Sequence, residues 1–132
     1  MSQPAANKKF VFNDKIDSGF LFSLYEEDYA YILEVFESTL SELDGATSDL
    51  TNAFHAGSPS NMKRAAHKLK PLFGFTGLLF VQEAVGDFET QCSEADWLEV
   101  LERPYQRLLG QIDEAKQIIL TEHKRLLEFS AS

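Results

Sequence analysis

One histidine, His67, lies within a run of positively charged residues and could act as a nucleophile through one of its ring nitrogens. Placed on an α-helix at about 100° per residue, His67 points away from the apolar side of its segment. That apolar side consists of Met62, Ala65, Ala66, Leu69, Leu72, Phe73 and Thr76. The imidazole is therefore predicted to be exposed and uncrowded on the outer face of a helix.

The charges around His67 favour a mobile anion. The chain contains 21 Asp and Glu residues against 12 Lys and Arg residues, yet no carboxylate side chain occurs from Leu50 to Gln82. The helical segment itself carries the cations Lys63, Arg64, Lys68 and Lys70. A phosphoryl group has a charge of about −2 and is stabilised by such cations. We therefore predict a phosphate carrier in which Lys70, Arg64 and Lys68 stabilise the phosphate, although a solvated charged face is the alternative for Lys68 and Lys63.

The segment around His67 also resembles the signature A-H-x-L-K-G…G of histidine-containing phosphotransfer domains, the helical carriers of multistep two-component phosphorelays. The matching residues are Ala66, His67, Lys68, Leu69, Lys70, Gly74 and Gly77. The helix pattern of the family extends over about Ile16 to Leu127. The chain departs from the signature at Pro71, where the family usually has glycine.

This resemblance implies a function and a set of partners. Similar domains accept a phosphoryl group on the histidine from a receiver-domain aspartate and pass it to another receiver. The implied partners are response-regulator receiver domains and hybrid sensor kinases. The receiver and its bound Mg²⁺ would supply the catalysis, so the chain would need no cofactor of its own. Both the helical spacing and the family pattern select Lys70 as the main phosphate-stabilising cation.

The resemblance also suggests how the imidazole is oriented. Similar domains often carry Gln or Glu on the following helix, and the corresponding residue here is Glu89. A carboxylate there would orient the ring, but it would also favour the imidazolium form and slightly oppose nucleophilicity. An ordinary solvated carboxylate is the alternative interpretation of Glu89.

Four residues are predicted to form the surface on which a partner docks: Pro71, Gly74, Phe75 and Leu78. Pro71 removes the backbone donor to the His67 carbonyl and should bend or open the helix there. Gly74 would keep the face beside His67 free of side chain. Phe75 and Leu78 would form an apolar rim if the helix continues, and packing against a neighbouring helix is their alternative.

An enzyme with its own catalytic centre is disfavoured, because His55, His67 and His123 have no metal-ligand spacing and no convergent acids and bases accompany them. The chain is thus predicted to bind no metal. The alternative function is a helical bundle that binds receiver domains as a scaffold or inhibitor without carrying phosphate, since Pro71 could mark such a member.

Length and composition indicate a single domain with one core, since the chain has 132 residues of which 44% are hydrophobic. A net charge of −9 argues against nucleic acid as a partner. The longest nearly apolar run, Pro71 to Val81, is too short to span a membrane, and Met1 to Lys9 lacks a signal-peptide pattern. We therefore expect a cytoplasmic monomer, with Cys92 as a small core residue.

The elements that must position His67 are amphipathic helices. Asp17 or Ser18 should cap a short helix ending near Tyr25, and Asp28 should cap a long helix that Gly57 ends. Ser58 or Ser60 should cap the His67 helix, which Gly74 and Gly77 close. Helices then follow over about 78–93 and 95–129, with a kink or restart at Pro104. The predicted fold is all-α: an antiparallel up-and-down four-helix bundle over residues 10–132, with a short N-terminal lid helix and a disordered tail over residues 1–9.

Overall fold

Side-chain caps and two glycines set the limits of the helices in the computed structural model, which describes residues 9–132. The helices are α1 (Ser18–Tyr25), α2 (Tyr29–His55), α3 (Pro59–Phe75), α4 (Leu79–Glu94) and α5 (Glu102–Ala131), with a 3₁₀ helix at Leu98–Leu101 before α5. Most of the predicted disordered tail, residues 1–8, lies outside the described part of the chain.

The predicted helix starts have a clear physical cause. The side chains of Asp17, Asp28 and Ser58 accept hydrogen bonds from the backbone N–H groups three residues later and so cap α1, α2 and α3. Gly57 and Gly77 follow α2 and α3 with φ values of 69° and 75°, a backbone conformation that glycine adopts without strain. The turns between the helices are therefore determined locally.

The last helical region restarts close to Pro104, as the sequence predicts. A 3₁₀ helix ends at Leu101, and α5 runs from Glu102 to Ala131 with Pro104 in its first turn. Backbone N–H groups in a first turn have no partner within the helix, so proline costs no hydrogen bond at that position.

Helices α2 to α5 pack as a bundle in which each helix contacts the next and α5 returns to α2. The predicted apolar stripe of α3 is entirely buried, and Phe36, Phe73 and Phe88 are the largest side chains at the centre of the core. The predicted all-α fold, an antiparallel four-helix bundle with a short lid helix, is confirmed. No helix within residues 9–132 has both the length and the apolarity of a membrane-spanning segment.

The segment before α1 is tied to the bundle by a buried carboxylate that the sequence pattern does not reveal. Glu122 of α5 is 2% exposed, accepts a hydrogen bond from the Asn13 backbone N–H at 2.6 Å and forms an ion pair with Arg125 at 2.7 Å. Arg125 also donates to the Val11 carbonyl at 3.3 Å and lies over the Phe10 ring. These contacts hold the N-terminal segment along α5.

The lid helix α1 is joined to the end of the His67 helix. The Tyr25 hydroxyl donates to the Phe75 carbonyl at 2.9 Å, and the Asp17 backbone N–H donates to the Gly77 carbonyl at 2.8 Å. These bonds satisfy carbonyl groups that the end of α3 and the turn after it would otherwise leave unpaired. The lid helix is therefore held against the end of α3.

Candidate functional site

His67 projects from the middle of α3 on the side opposite the buried stripe. Its side chain is 71% exposed, as the helical spacing predicted. Because Ala65, Ala66 and Leu69 are buried on the inner side of α3, packing holds the helix backbone and leaves the imidazole accessible. The ring is thus mounted on a rigid element rather than on a loop.

Glu89 reaches the imidazole from the neighbouring helix α4. Its Oε2 lies 2.9 Å from Nδ1 of His67, and its side chain is 11% exposed. Helices α3 and α4 are joined by a short turn and pack closely along their length, which brings the two side chains together. The solvated interpretation of Glu89 is therefore wrong, because this carboxylate is largely buried against the ring.

The contact determines which ring nitrogen is free. Burial raises the pKa of Glu89, but hydrogen bonding and charge from Lys70 and then His67 outweigh burial, so the net pKa lies below the ordinary value of 4.5. An ionised carboxylate can only accept a hydrogen bond, so Nδ1 of His67 must donate and carry the proton. In the neutral ring, Nε2 then has the lone pair, and no residue within 9–132 forms a hydrogen bond to it.

Lys70 contacts the other oxygen of the same carboxylate. Its Nζ lies 2.8 Å from Oε1 of Glu89, an ion-pair contact. The Lys70 side chain passes beside Gly86 of α4, and its Cδ atom lies at ordinary van der Waals distance, 3.8 Å, from the position that a Cβ atom would occupy there. Glu89 therefore bridges His67 and Lys70. It compensates part of the Lys70 charge that is predicted to stabilise the phosphate.

The other two predicted cations differ in whether they line the cavity around His67. Lys68 is exposed and lines the surface cavity that contains His67 and Lys70. Arg64 donates to Asn61 at 3.0 Å and lines an adjacent groove between α2 and α3, together with Asp49. Arg64 is thus not among the residues that line the His67 cavity, and its role in binding phosphate stays a prediction.

Two of the predicted docking residues have a different role in the structure. Leu78 is completely buried, because α3 ends at Phe75 and the chain reverses at Gly77, whereas the prediction of an exposed rim assumed a continuing helix. Gly74 is also buried, and the space beside it is occupied: a side chain there would begin 2.4 Å from Nε2 of Gln82. The prediction that Gly74 leaves a bare surface is therefore wrong.

The other two docking residues are accessible. Pro71 is exposed and α3 continues through it to Phe75, so the helix does not open at the proline. Phe75 is 51% exposed and lines a groove with Tyr25 and Tyr31. An apolar surface therefore lies beyond Pro71 on the same helix, and its function as a docking surface stays a prediction.

Sequence reasoning missed two residues of the His67 cavity. Glu42 of α2 and Gln82 of α4 line it together with His67, Lys68, Lys70 and Pro71. Neither belongs to a recognisable motif, and only the packing of α2 and α4 against α3 places them there.

The single cysteine is not activated as a nucleophile, because burial and then the Glu89 charge raise the pKa of the Cys92 thiol to about 11. No group of three or more potential metal-ligating side chains occurs in residues 9–132.

The chain is similar to known proteins both in sequence and in fold. A sequence model of the Hpt domain matches residues 32–118, about two thirds of the chain. A search of curated proteins finds no match. Among solved structures, the HPT domain from the Hpt sensor hybrid histidine kinase from Shewanella aligns with a TM-score of 0.72 and 15% identity, covering 84% of this chain and 95% of that one. This structural likeness concerns the fold alone.

Proposed function

Because this chain belongs to the Hpt domain family, we propose that it is a phosphorelay intermediate in which His67 carries the phosphoryl group. His67 would accept phosphate from the aspartate of one receiver domain and return it to another. The observation that carries the proposal is the Glu89 contact with Nδ1, which leaves Nε2 as an exposed nucleophile beside Lys68 and Lys70. Response-regulator receivers and hybrid sensor kinases are the partners, and we expect the protein to act as a cytoplasmic monomer.

The transfer of the phosphoryl group to His67 requires no catalytic group on this chain. Nε2 of neutral His67 attacks the phosphorus of the aspartyl phosphate, the N–P bond forms, and the P–O bond to the aspartate breaks to release its carboxylate. The ring then has phosphate on Nε2 and a proton on Nδ1, so it becomes positively charged. Glu89 lies beside that proton and stabilises the developing charge. Mg²⁺ bound to the receiver would neutralise the phosphoryl oxygens.

Lys70 and Lys68 supply the local charge compensation on the carrier itself. Once phosphate occupies Nε2, its negative charge competes with Glu89 for the Lys70 ammonium. Sharing the lysine between the two anions keeps phosphohistidine from being over-stabilised. A carrier needs such a balance, because it must give the group up again.

The experiment is incubation of the protein with a phosphorylated receiver, followed by a test for acid-labile, base-stable phosphate on the chain. Wild type should become labelled, and His67→Gln should not. The variant should keep the helical circular-dichroism signal, because the side chain faces away from the core. Labelling that persists in His67→Gln contradicts the assignment of the site. A wild type that binds receivers but takes no phosphate from any of them would instead identify a scaffold or inhibitor.

A further inference from the structure

Gln82, in the first turn of α4, has an unusual position beside the His67 helix. Its side-chain amide lies directly over the backbone of Gly74, where a Cβ atom would come within 2.4 Å of Nε2 and 3.3 Å of the amide carbon. Any residue larger than glycine at position 74 would therefore displace the amide. The absence of a side chain at Gly74 therefore allows the Gln82 amide to lie against the surface of α3.

The polar atoms of this amide are not used within the fold. Gln82 is partly exposed, and its side chain forms no hydrogen bond to another residue of the described chain. An apolar side chain of similar length would cover Gly74 equally well. The amide therefore has two donors and an acceptor available for a group outside this molecule.

The amide lies within the area that a receiver must cover. Gln82 lines the same cavity as His67, Lys70 and Pro71. Gly74 is seven residues from His67 on α3, which is about 10 Å along the helix. A specific protein interface buries about 800 Å² per partner, a patch with a radius of about 16 Å. A receiver whose aspartate reaches Nε2 of His67 thus also covers Gln82.

We propose that Gln82 is a specificity-determining residue whose amide hydrogen-bonds to the docked receiver domain. This inference rests on the proposed phosphotransfer function. A receiver that places polar groups opposite the amide gains hydrogen bonds when it docks. A receiver that places apolar groups there leaves the amide desolvated and unpaired, which disfavours that partner. Gln82 thereby selects among receivers without taking part in the chemical step.

The test replaces Gln82 with methionine, which keeps the length of the side chain and removes its hydrogen-bonding groups. Gln91→Met is the matched control, because Gln91 is exposed on the same helix and lines a groove toward α5. The dissociation constant of each protein for a panel of purified unphosphorylated receivers is measured by titration calorimetry. Gln82→Met should weaken binding of the tightest receiver about three- to tenfold. It should leave unchanged, or strengthen, the binding of the weaker receivers.

A second variant separates the amide contact from packing. Gly74→Ala should move the amide from its position and reduce selectivity in the same direction as Gln82→Met. Circular dichroism and thermal melting confirm that each variant folds. Identical affinities of wild type and Gln82→Met for every receiver overturn the inference, as does an equal effect of Gln91→Met. Receivers that bind but transfer no phosphate overturn only the proposed function, whereas a wild type that binds no receiver overturns both.

Discussion

Replacing Glu89 with glutamine tests the contacts around His67 most directly, because glutamine keeps the size of the side chain. In the wild type both oxygens are used, Oε2 by Nδ1 of His67 at 2.9 Å and Oε1 by Nζ of Lys70 at 2.8 Å. An amide has one acceptor and one donor group, so it cannot serve both neighbours. If its oxygen faces Lys70, its NH₂ group faces Nδ1 and forces the proton onto Nε2. If its oxygen faces the ring, its NH₂ group lies against the ammonium.

The size of the effect follows from the charge that develops on the ring during transfer. Two unit charges 4 Å apart attract by about 1 kcal/mol in water and about 4 kcal/mol at an effective dielectric constant of 20. The Glu89 side chain is only 11% exposed but that of His67 is 71% exposed, so solvent screens much of the attraction. We therefore expect a loss of about 1 to 2 kcal/mol, which slows transfer to His67 about five- to thirtyfold.

The assay is single-turnover transfer from a phosphorylated receiver, with Glu83→Gln as the control. Glu83 is an exposed carboxylate on the same helix, so its replacement makes the same change in net charge away from the ring contact. Nitrogen-15 chemical shifts of the imidazole report its tautomer, and Glu89→Gln should increase the form protonated on Nε2. A variant with the wild-type rate and tautomer would refute the role of Glu89.

The same carboxylate links stability to pH. Burial alone would raise the pKa of Glu89, but Lys70 and His67 bring it below 4.5 in the folded protein. The native state therefore binds fewer protons than the unfolded chain near this pH. The stabilisation is complete above the unfolded value and is lost as the pH falls through the folded value. In that acidic window, thermal melting of Glu89→Gln should depend less on pH than melting of the wild type.

Three further changes test other parts of the molecule. Lys70→Ala should shift the transfer equilibrium toward the receiver by about 1 to 2 kcal/mol while the chain still folds, although it loses the ion pair with Glu89; unchanged equilibrium and rates, as expected for the control Lys63→Ala, would return Lys70 to a solvated charge. Pro71→Gly should broaden the set of receivers served while helping the preferred one little or harming it; equal transfer rates across a receiver panel would contradict this. Glu122→Ala leaves Asn13 and Arg125 without their buried partner and should lower stability by about 2 kcal/mol, or about 8 °C in melting temperature. Glu128→Ala, at an exposed position, is the control. Equal melting temperatures of Glu122→Ala and the wild type would refute the idea that Glu122 holds the N-terminal segment against α5.

Several features of the fold were predictable because their causes are local. The caps at Asp17, Asp28 and Ser58 bond to groups three residues away, and the reversals after α2 and α3 need only glycine at positions 57 and 77. The buried side of α3 follows from helical periodicity, and the exposure of His67 follows from being opposite to it. Each of these properties depends on residues within a few turns of one another.

Predictions at the end of α3 were less successful, because they depend on where the chain turns. A continuing helix would bring Leu78 near His67, but the reversal at Gly77 directs Leu78 into the core. Gly74 looks like bare surface when α3 is considered alone, and only the packing of α4 brings Gln82 over it. The hydrogen bond between Glu122 and the Asn13 backbone joins residues more than a hundred positions apart, and no periodicity in the sequence predicts it.

The class of fold, the exposed histidine and the cations beside it follow from the sequence, because helical periodicity and charge composition are properties of contiguous residues. The packing of the helices establishes that Glu89 is buried against Nδ1, that Lys70 shares this carboxylate, and that Gln82 covers Gly74. The physical reason is that these contacts join side chains on different helices. Their distances depend on how α3 and α4 pack and on where the turn between them ends.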